Sequence, residues 1–249
     1  MPSPVRSITT RVVTLAMFVA APLAAQLTPA PVAEVRQLVT FLFQPGRAAD
    51  AIAIYESMLK PIYRDVAPLR RFRGYREAES PEPMDLMVSS SYAGMAGMDA
   101  ANAALRAPRP SGASAFALYG TLATMSQSHH DQFVEILPAL SDTPDDSAGI
   151  TVFEYLRLAP GKQQRFPTLL FTDMRRIERE AALYRWSETG RLLVSDGWDF
   201  LRIHHMRSLA DWQRYRDVQR LGPAGEAMQG MIAARKAVIL RLEPRLSVR

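Results

Sequence analysis

Four histidines stand in two adjacent pairs, His129-His130 and His204-His205. The second pair lies in WDFLRIHHM, residues 198–206, with Arg202 two positions before His204. A second cluster, VFEYLRL at 152–158, brings Tyr155 and Arg157. An imidazole titrates near neutrality and a guanidinium meets developing negative charge. The chemistry these types suggest is proton transfer by His204, assisted by Tyr155 and Arg202, on a phenolic or enolisable substrate. Metal chemistry is not expected: neighbours on a strand point to opposite faces, so His204 and His205 cannot clamp one ion together. The His129-His130 pair falls where a helix is expected to end, and capping by a cation suits that place. No HExxH, phosphate-binding loop, dinucleotide fingerprint or nucleophile elbow is present. The chain has no Cys, which removes disulfides and thiol chemistry. Met84, Met87, Met95 and Met98 fall at apolar strand and helix positions and read as core.

The elements that must carry these residues occur twice. Met84-Asp85 and Trp198-Asp199 head matching strand-like runs 114 residues apart, and Pro45-Gly46 answers Pro160-Gly161 at an offset of 115. Ala181 to Trp186 answers Ala67 to Phe72, and EPRLS at 243–247 answers LPALS at 137–141. Between these marks, β-branched and apolar runs bounded by Pro-Gly turns predict strands, and 3.6-residue spacing over 47–65 predicts a helix. The order in each half is β-α-β-β-α-β, the ferredoxin-like unit. The expected fold is α+β: two tandem ferredoxin-like βαββαβ repeats that bury their bare sheet faces against each other as an intrachain dimeric-type α/β barrel. Residues 34–142 and 150–249 are the expected repeats, with 143–149 as linker.

Ahead of them, Arg6 and Arg11 precede an apolar run at 12–21 that ends in Leu23-Ala24-Ala25. That pattern predicts a cleaved signal peptide over 1–25, a spacer over 26–33, and a periplasmic or secreted protein with no stable membrane insertion. The formal charge of +5 comes from Arg spread along the chain, without the clustered basic stripe that nucleic acid requires.

VFEYLRLAPGK (152–162) and IHHMRSLADW (203–212) resemble the first- and third-strand signatures of NIPSNAP-type domains, within a superfamily of dimeric α/β barrels that includes antibiotic-biosynthesis-monooxygenase-like proteins. The closing LEPRLS, 242–247, resembles the terminal strand of the same group. The resemblance implies the barrel fold and a range of functions, from cofactor-free oxygenases to heme proteins that use a helical His.

Period-two alternation sorts the sheet faces. Val152, Leu156 and Leu158, with Glu154 among them, are assigned to the helices, and Phe153, Tyr155 and Arg157 to the space between the sheets. On the strand at 200–206 the aliphatic Leu201 and Ile203 are likewise given to the helices. This leaves Phe200, Arg202, His204 and Met206 in the lumen, with Leu86, Val88, Ser90 and Tyr92 as their first-half counterparts. The expected ligand wall is Phe153, Arg157, Phe200, Met206 and Tyr92 around the catalytic candidates. The reading is an exported barrel binding a small aromatic or anionic molecule between its sheets, with monooxygenase- or isomerase-like chemistry and no resident cofactor. Its alternatives are a non-catalytic ligand-binding or structural barrel, in which the arginines only seal the lumen through ion pairs, and a heme-binding barrel. A monomer with a pseudo-dimeric barrel and a further homo-oligomer both fit.

Overall fold

The computed structural model describes residues 33–108, 114–147 and 149–248. The expected signal peptide and most of the spacer lie outside them. Eight antiparallel strands close into one barrel in the order β1-β3-β2-β8-β5-β7-β6-β4. They are β1 Glu34–Phe43, β2 Leu69–Glu79, β3 Leu86–Ala93, β4 Ser126–Ile136, β5 Ile150–Leu158, β6 Trp186–Val194, β7 Phe200–Met206 and β8 Ile232–Val248. Read by halves, the order is β4-β1-β3-β2 and then β8-β5-β7-β6. The helices lie outside the barrel. In the first half these are α1 (48–64), α2 (Gly94–Arg106) and α3 (Ala115–Met125); in the second, α4 (165–180), α5 (Leu209–Val218) and α6 (Gly222–Gln229). No helix among the described residues is long and apolar enough to cross a membrane.

Local chemistry repeats in both halves. Gly46 and Gly161 adopt φ of +80° and +75° in the two Pro-Gly turns, the left-handed region glycine enters without a Cβ clash. Asp85 accepts the amide of Phe43 at 2.8 Å and Asp199 that of Leu158 at 2.7 Å, so each aspartate fastens the end of the neighbouring strand. Helices α1 and α4 each contain a five-residue π turn, Tyr55–Leu59 and Leu170–Met174, at the same offset of 115.

Two expectations need correction. Cross-strand partners share a sheet face, and β5 pairs with β7 as Phe153↔Ile203 and Glu154↔Arg202. Leu201 and Ile203 therefore join Phe153 and Tyr155 in the apolar lumen. Phe200, Arg202, His204 and Met206 turn outward under the helices, as do Leu86, Val88, Ser90 and Tyr92 in the first half. Sorting by aliphatic content failed because the helix-covered face of the second half carries buried charge. The second correction concerns β4, which starts at Ser126 instead of near Phe133 because the ten-residue β1 needs a partner along its length. His129 and His130 thus stand on a strand, opposite Phe41 and Thr40, and not at a helix end.

The lumen is stratified along its axis. Its middle is filled by Leu38, Tyr75, Met87, Val134, Phe153, Leu201, Ile203 and Val238. At one end Arg36 forms a bidentate pair with Glu188 at 2.6 and 2.7 Å, and Arg73 donates to Asp146 at 3.0 Å. At the other end a cavity of about 430 Å³ opens beside Tyr155, Gln132, Met84, Trp198 and Lys236.

Candidate functional site

A cleft that gathers polar groups over an apolar floor lies on the outer face of the first half. The floor comes from β1 (Gln37, Val39, Phe41), β3 (Val88, Ser90, Tyr92) and β4 (His129, Asp131). The roof comes from α1 (Tyr55, Tyr63), α2 (Asn102, Leu105, Arg106) and α3 (Phe116, Tyr119, Leu122), around about 540 Å³. Ser114 starts α3 by accepting the amide of Ala117 on its hydroxyl at 3.2 Å, a normal N-cap. The π turn in α1 inserts one extra residue, which rotates the following turn and brings Tyr63, eight positions on, over the same cleft as Tyr55.

Four tyrosines line this space. The hydroxyls of Tyr63 and Tyr119 are hydrogen-bonded to each other. Tyr63 packs on Phe72 at 4.3 Å between ring centres, and Tyr55 meets Phe41 edge-on at 6.1 Å. Burial pushes the phenols of Tyr55 and Tyr63 well above their usual range, with Tyr119 adding to both, and burial likewise raises Tyr119 and Tyr92. All four are neutral hydrogen-bonding groups at physiological pH and cannot act as phenolate bases. At one side, Gln37 donates to Asp131 at 2.8 Å, and His129 stands 3.7 Å from the same carboxylate while stacking on Phe41. At the opening, the Arg106 guanidinium lies 4.7 Å over the ring of Phe116.

The corresponding space in the second half is filled. Arg202, fully buried, donates to both oxygens of Glu178 at 3.0 and 2.7 Å and to the Tyr215 hydroxyl at 2.6 Å. Gln219 donates to Tyr215 and to Glu178. The Tyr215 hydroxyl is hydrogen-bonded to His204 Nε2 at 2.9 Å, His204 Nδ1 is hydrogen-bonded to the Ser187 hydroxyl at 3.0 Å, and Glu154 stands 3.5 Å from the same Nε2. Burial, followed by Arg202, holds the His204 pKa below its ordinary value, which agrees with a neutral ring. Glu154 lies 3.0 Å from Arg235. Burial works to raise its pKa, but Arg235, His204 and Arg202 together outweigh that and hold it at about 2.

The catalytic trio expected from the sequence is not brought together. His204 and Arg202 belong to this closed network, whereas Tyr155 lies on the opposite sheet face and donates to Gln132 at 2.9 Å. Phe153 packs edge-on against Tyr75 in the lumen at 5.3 Å. Arg157 is exposed at the rim, donating to the Gly197 carbonyl at 2.7 Å over Trp198. Phe200 packs on Phe166, and Met206 is buried with Trp212 and Tyr215. Among the expected site residues, Tyr92 alone lines the first-half cleft. Sequence reasoning missed Tyr55, Tyr63, Tyr119, Gln37 and Asp131. The available signal was the pair of tyrosines on one predicted helix, eight positions apart and so on one broad face, but nothing in the spacing tells that the face overlies a cleft.

Among the described residues, no group of three or more His, Asp or Glu is gathered to hold a metal ion. All four histidines stand on β4 or β7 and none on a helix of the described residues.

No protein-family model matches the chain, and no curated protein is similar to it in sequence. Solved structures are similar in fold. A monooxygenase-like protein from Lactobacillus acidophilus superposes with a TM-score of 0.60 at 9% identity, over 87% of this chain and 98% of that one. An anthrone oxidase-like protein gives 0.57 at 12% identity over 85% and 92%. A heme-binding protein from Thermus thermophilus gives 0.55 at 13% identity over 86% and 92%. At these identities the likeness shows the fold alone.

Proposed function

We propose that the protein binds a small planar hydroxylated aromatic molecule in the first-half cleft, between the outer face of the sheet and helices α1 to α3. The observation that carries this reading is a cavity of about 540 Å³ walled by four neutral tyrosines, at the place where the second half is closed by an ion-pair network. A pocket of that size, mostly apolar with a few convergent polar groups, suits a ligand of two or three fused rings. His129, backed by Asp131, is the group placed to take a proton from a bound phenol, which gives the reading a monooxygenase- or isomerase-like extension. Small-molecule binding by proteins of this fold, among them the anthrone oxidase-like and heme-binding proteins, supports the reading without identifying the ligand.

Heme does not fit the two helix–sheet spaces. The second-half helix–sheet space is occupied by Arg202, Glu178 and Tyr215, and its one histidine, His204, has both ring nitrogens hydrogen-bonded. In the first half, His129 lies at the rim, stacked on Phe41, and its side chain is 57% exposed. We therefore derive no step through heme.

The same reading takes the two halves as tandem ferredoxin-like repeats of NIPSNAP type. Matching strand orders, paired π turns and paired aspartate contacts support this. It also keeps the N-terminal segment as an export signal, which mass spectrometry of the mature protein checks: an N-terminus near Gln26 is expected, and an intact Met1 overturns it.

Binding is tested with 2-naphthol by isothermal titration calorimetry on the wild type and on Gly120→Leu. Gly120 lines the cleft, and a Cβ built there meets no atom within 4 Å, so the larger side chain occupies cleft space without a clash. Loss of at least tenfold in affinity is expected, with a melting temperature that does not fall and rises slightly, because a glycine leaves the interior of a helix. Equal affinity in the two proteins places the ligand elsewhere. Binding should also red-shift the naphthol absorbance at neutral pH if His129 takes its proton, and His129→Ala should abolish that shift.

A further inference from the structure

We infer that Arg106 sets the ligand class of this cleft: a planar aromatic that carries a carboxylate at one end and a hydroxyl at the other. The inference rests on the cleft being the binding site and adds the charge and orientation of what binds. Arg36, Arg73, Arg175, Arg202 and Arg235 each have a carboxylate partner within 3.0 Å. Arg106 has none among the described residues; what it meets is the face of Phe116, itself 42% exposed at the cleft opening. A cation in the last turn of a helix is ordinarily read as complementing the helix dipole. Arg106, however, makes no hydrogen bond to the terminal carbonyls of α2 among the described residues; its side chain crosses to α3, over the opening.

Another part of the cleft lining has the reverse character. Asp131 is a carboxylate held by Gln37 at 2.8 Å, with His129 3.7 Å away, so it repels an anion and accepts from a hydroxyl. The remaining polar lining is neutral: the hydroxyls of Tyr55, Tyr63, Tyr92 and Ser90, and the Asn102 amide. A ligand carrying one anionic group is therefore oriented in one way only, with the anion at Arg106 and the hydroxyl toward Asp131 and His129. The fork of a guanidinium matches a carboxylate with two parallel donors, and Phe116 holds it flat over the opening.

The experiment compares 6-hydroxy-2-naphthoate with 2-naphthol, which differ by the carboxylate alone, by calorimetry at low and at 0.5 M salt. In the wild type the naphthoate is expected to bind roughly tenfold tighter, about 1.4 kcal/mol, and the advantage should shrink at high salt, which screens an exposed pair. In Arg106→Gln the ratio of the two affinities should fall toward one, and Arg106→Lys should restore only part of it. Measurable 2-naphthol binding without a carboxylate preference in the wild type, or a preference retained in Arg106→Gln, overturns the assignment to Arg106 and leaves the cleft as a neutral-ligand site. If neither compound binds, the cleft reading fails, and this inference with it.

Discussion

The two helix–sheet layers use one backbone plan for opposite ends. In the first half, β1 and β3 place Val39 opposite Val88 under the helices. In the second, β5 and β7 place Glu154 opposite Arg202. Around the valines the roof stands off and leaves a cleft; around the charged pair, Glu178, Tyr215, Gln219 and Arg235 close in and fill the space. Two valines leave room that only a ligand, water or a larger side chain can fill. The buried Arg202–Glu178 pair leaves none, because it recruits Tyr215 and Gln219 from a neighbouring helix as further partners. The difference is therefore one of rigidity as well as volume: one layer is locked by hydrogen bonds and the other is held by aromatic packing around a space.

The sharpest test of that contrast is Arg202→Leu. It strands Glu178, which is fully buried and held in its charged form by Arg202 against the effect of burial. Removing one partner of a buried pair costs about 3–5 kcal/mol, and for a chain of this size the melting temperature should fall by on the order of 10 °C. Arg202→Leu combined with Glu178→Leu should recover most of the loss, since an apolar pair strands no charge. Replacement at the matching first-half position, Val88→Leu, should change stability far less and should weaken ligand binding. An unchanged melting temperature for Arg202→Leu would mean that the network is not a lock.

A smaller effect of the same network appears on the acid side. Glu154, held at about 2 in the folded protein against an ordinary value of 4.5, binds fewer protons folded than unfolded between those values. Its contribution is therefore complete above about pH 4.5 and is lost as pH falls toward 2. His204 adds to the same trend from a higher starting point: its folded pKa is depressed below 6.5, so the unfolded chain gains a proton first as pH falls and stability declines below that value. Urea midpoints measured from pH 7 to pH 3 should drop steadily, and more shallowly in the Arg202→Leu/Glu178→Leu protein, which no longer presents Arg202 to either group. A midpoint flat to pH 4 would remove the titrating groups from the account.

Much of the frame of this contrast was legible in the sequence, but its content was not. The Pro-Gly turns, the succession of strands and helices along the chain and the outward face of β5 followed from alternation and repeated punctuation. The face of β7 did not, because Arg202 is made tolerable there by Glu178, a residue on a helix 24 positions away. No local pattern displays such a partner, so a buried arginine reads as a lumen residue. The cleft was hidden for a different reason: a cavity is what helices fail to fill, and its walls come from six elements spread over residues 34–136. The π turn that aligns Tyr55 and Tyr63 is a backbone choice without a residue signature of its own.

The finest test uses the same deletion in both layers: one phenolic oxygen. In Tyr119→Phe, the Tyr63 hydroxyl loses its partner at the edge of an open cleft, where water can take over the bond, so the cost should be about 1 kcal/mol or less. In Tyr215→Phe, the oxygen removed accepts from Arg202 and Gln219 and is hydrogen-bonded to His204, all fully buried. The groups it leaves behind are packed away from solvent and one of them is charged, so about 2–3 kcal/mol is expected, in the range of bonds to ionised partners. Urea unfolding of both variants, compared at a common m-value, gives the ratio directly. A ratio of two or more is what an open layer beside a locked one requires. Equal costs would mean that the tyrosines of the first half are as tightly bound into their layer as Tyr215 is into its own, and the cleft would then be a packing defect rather than a place kept for a ligand.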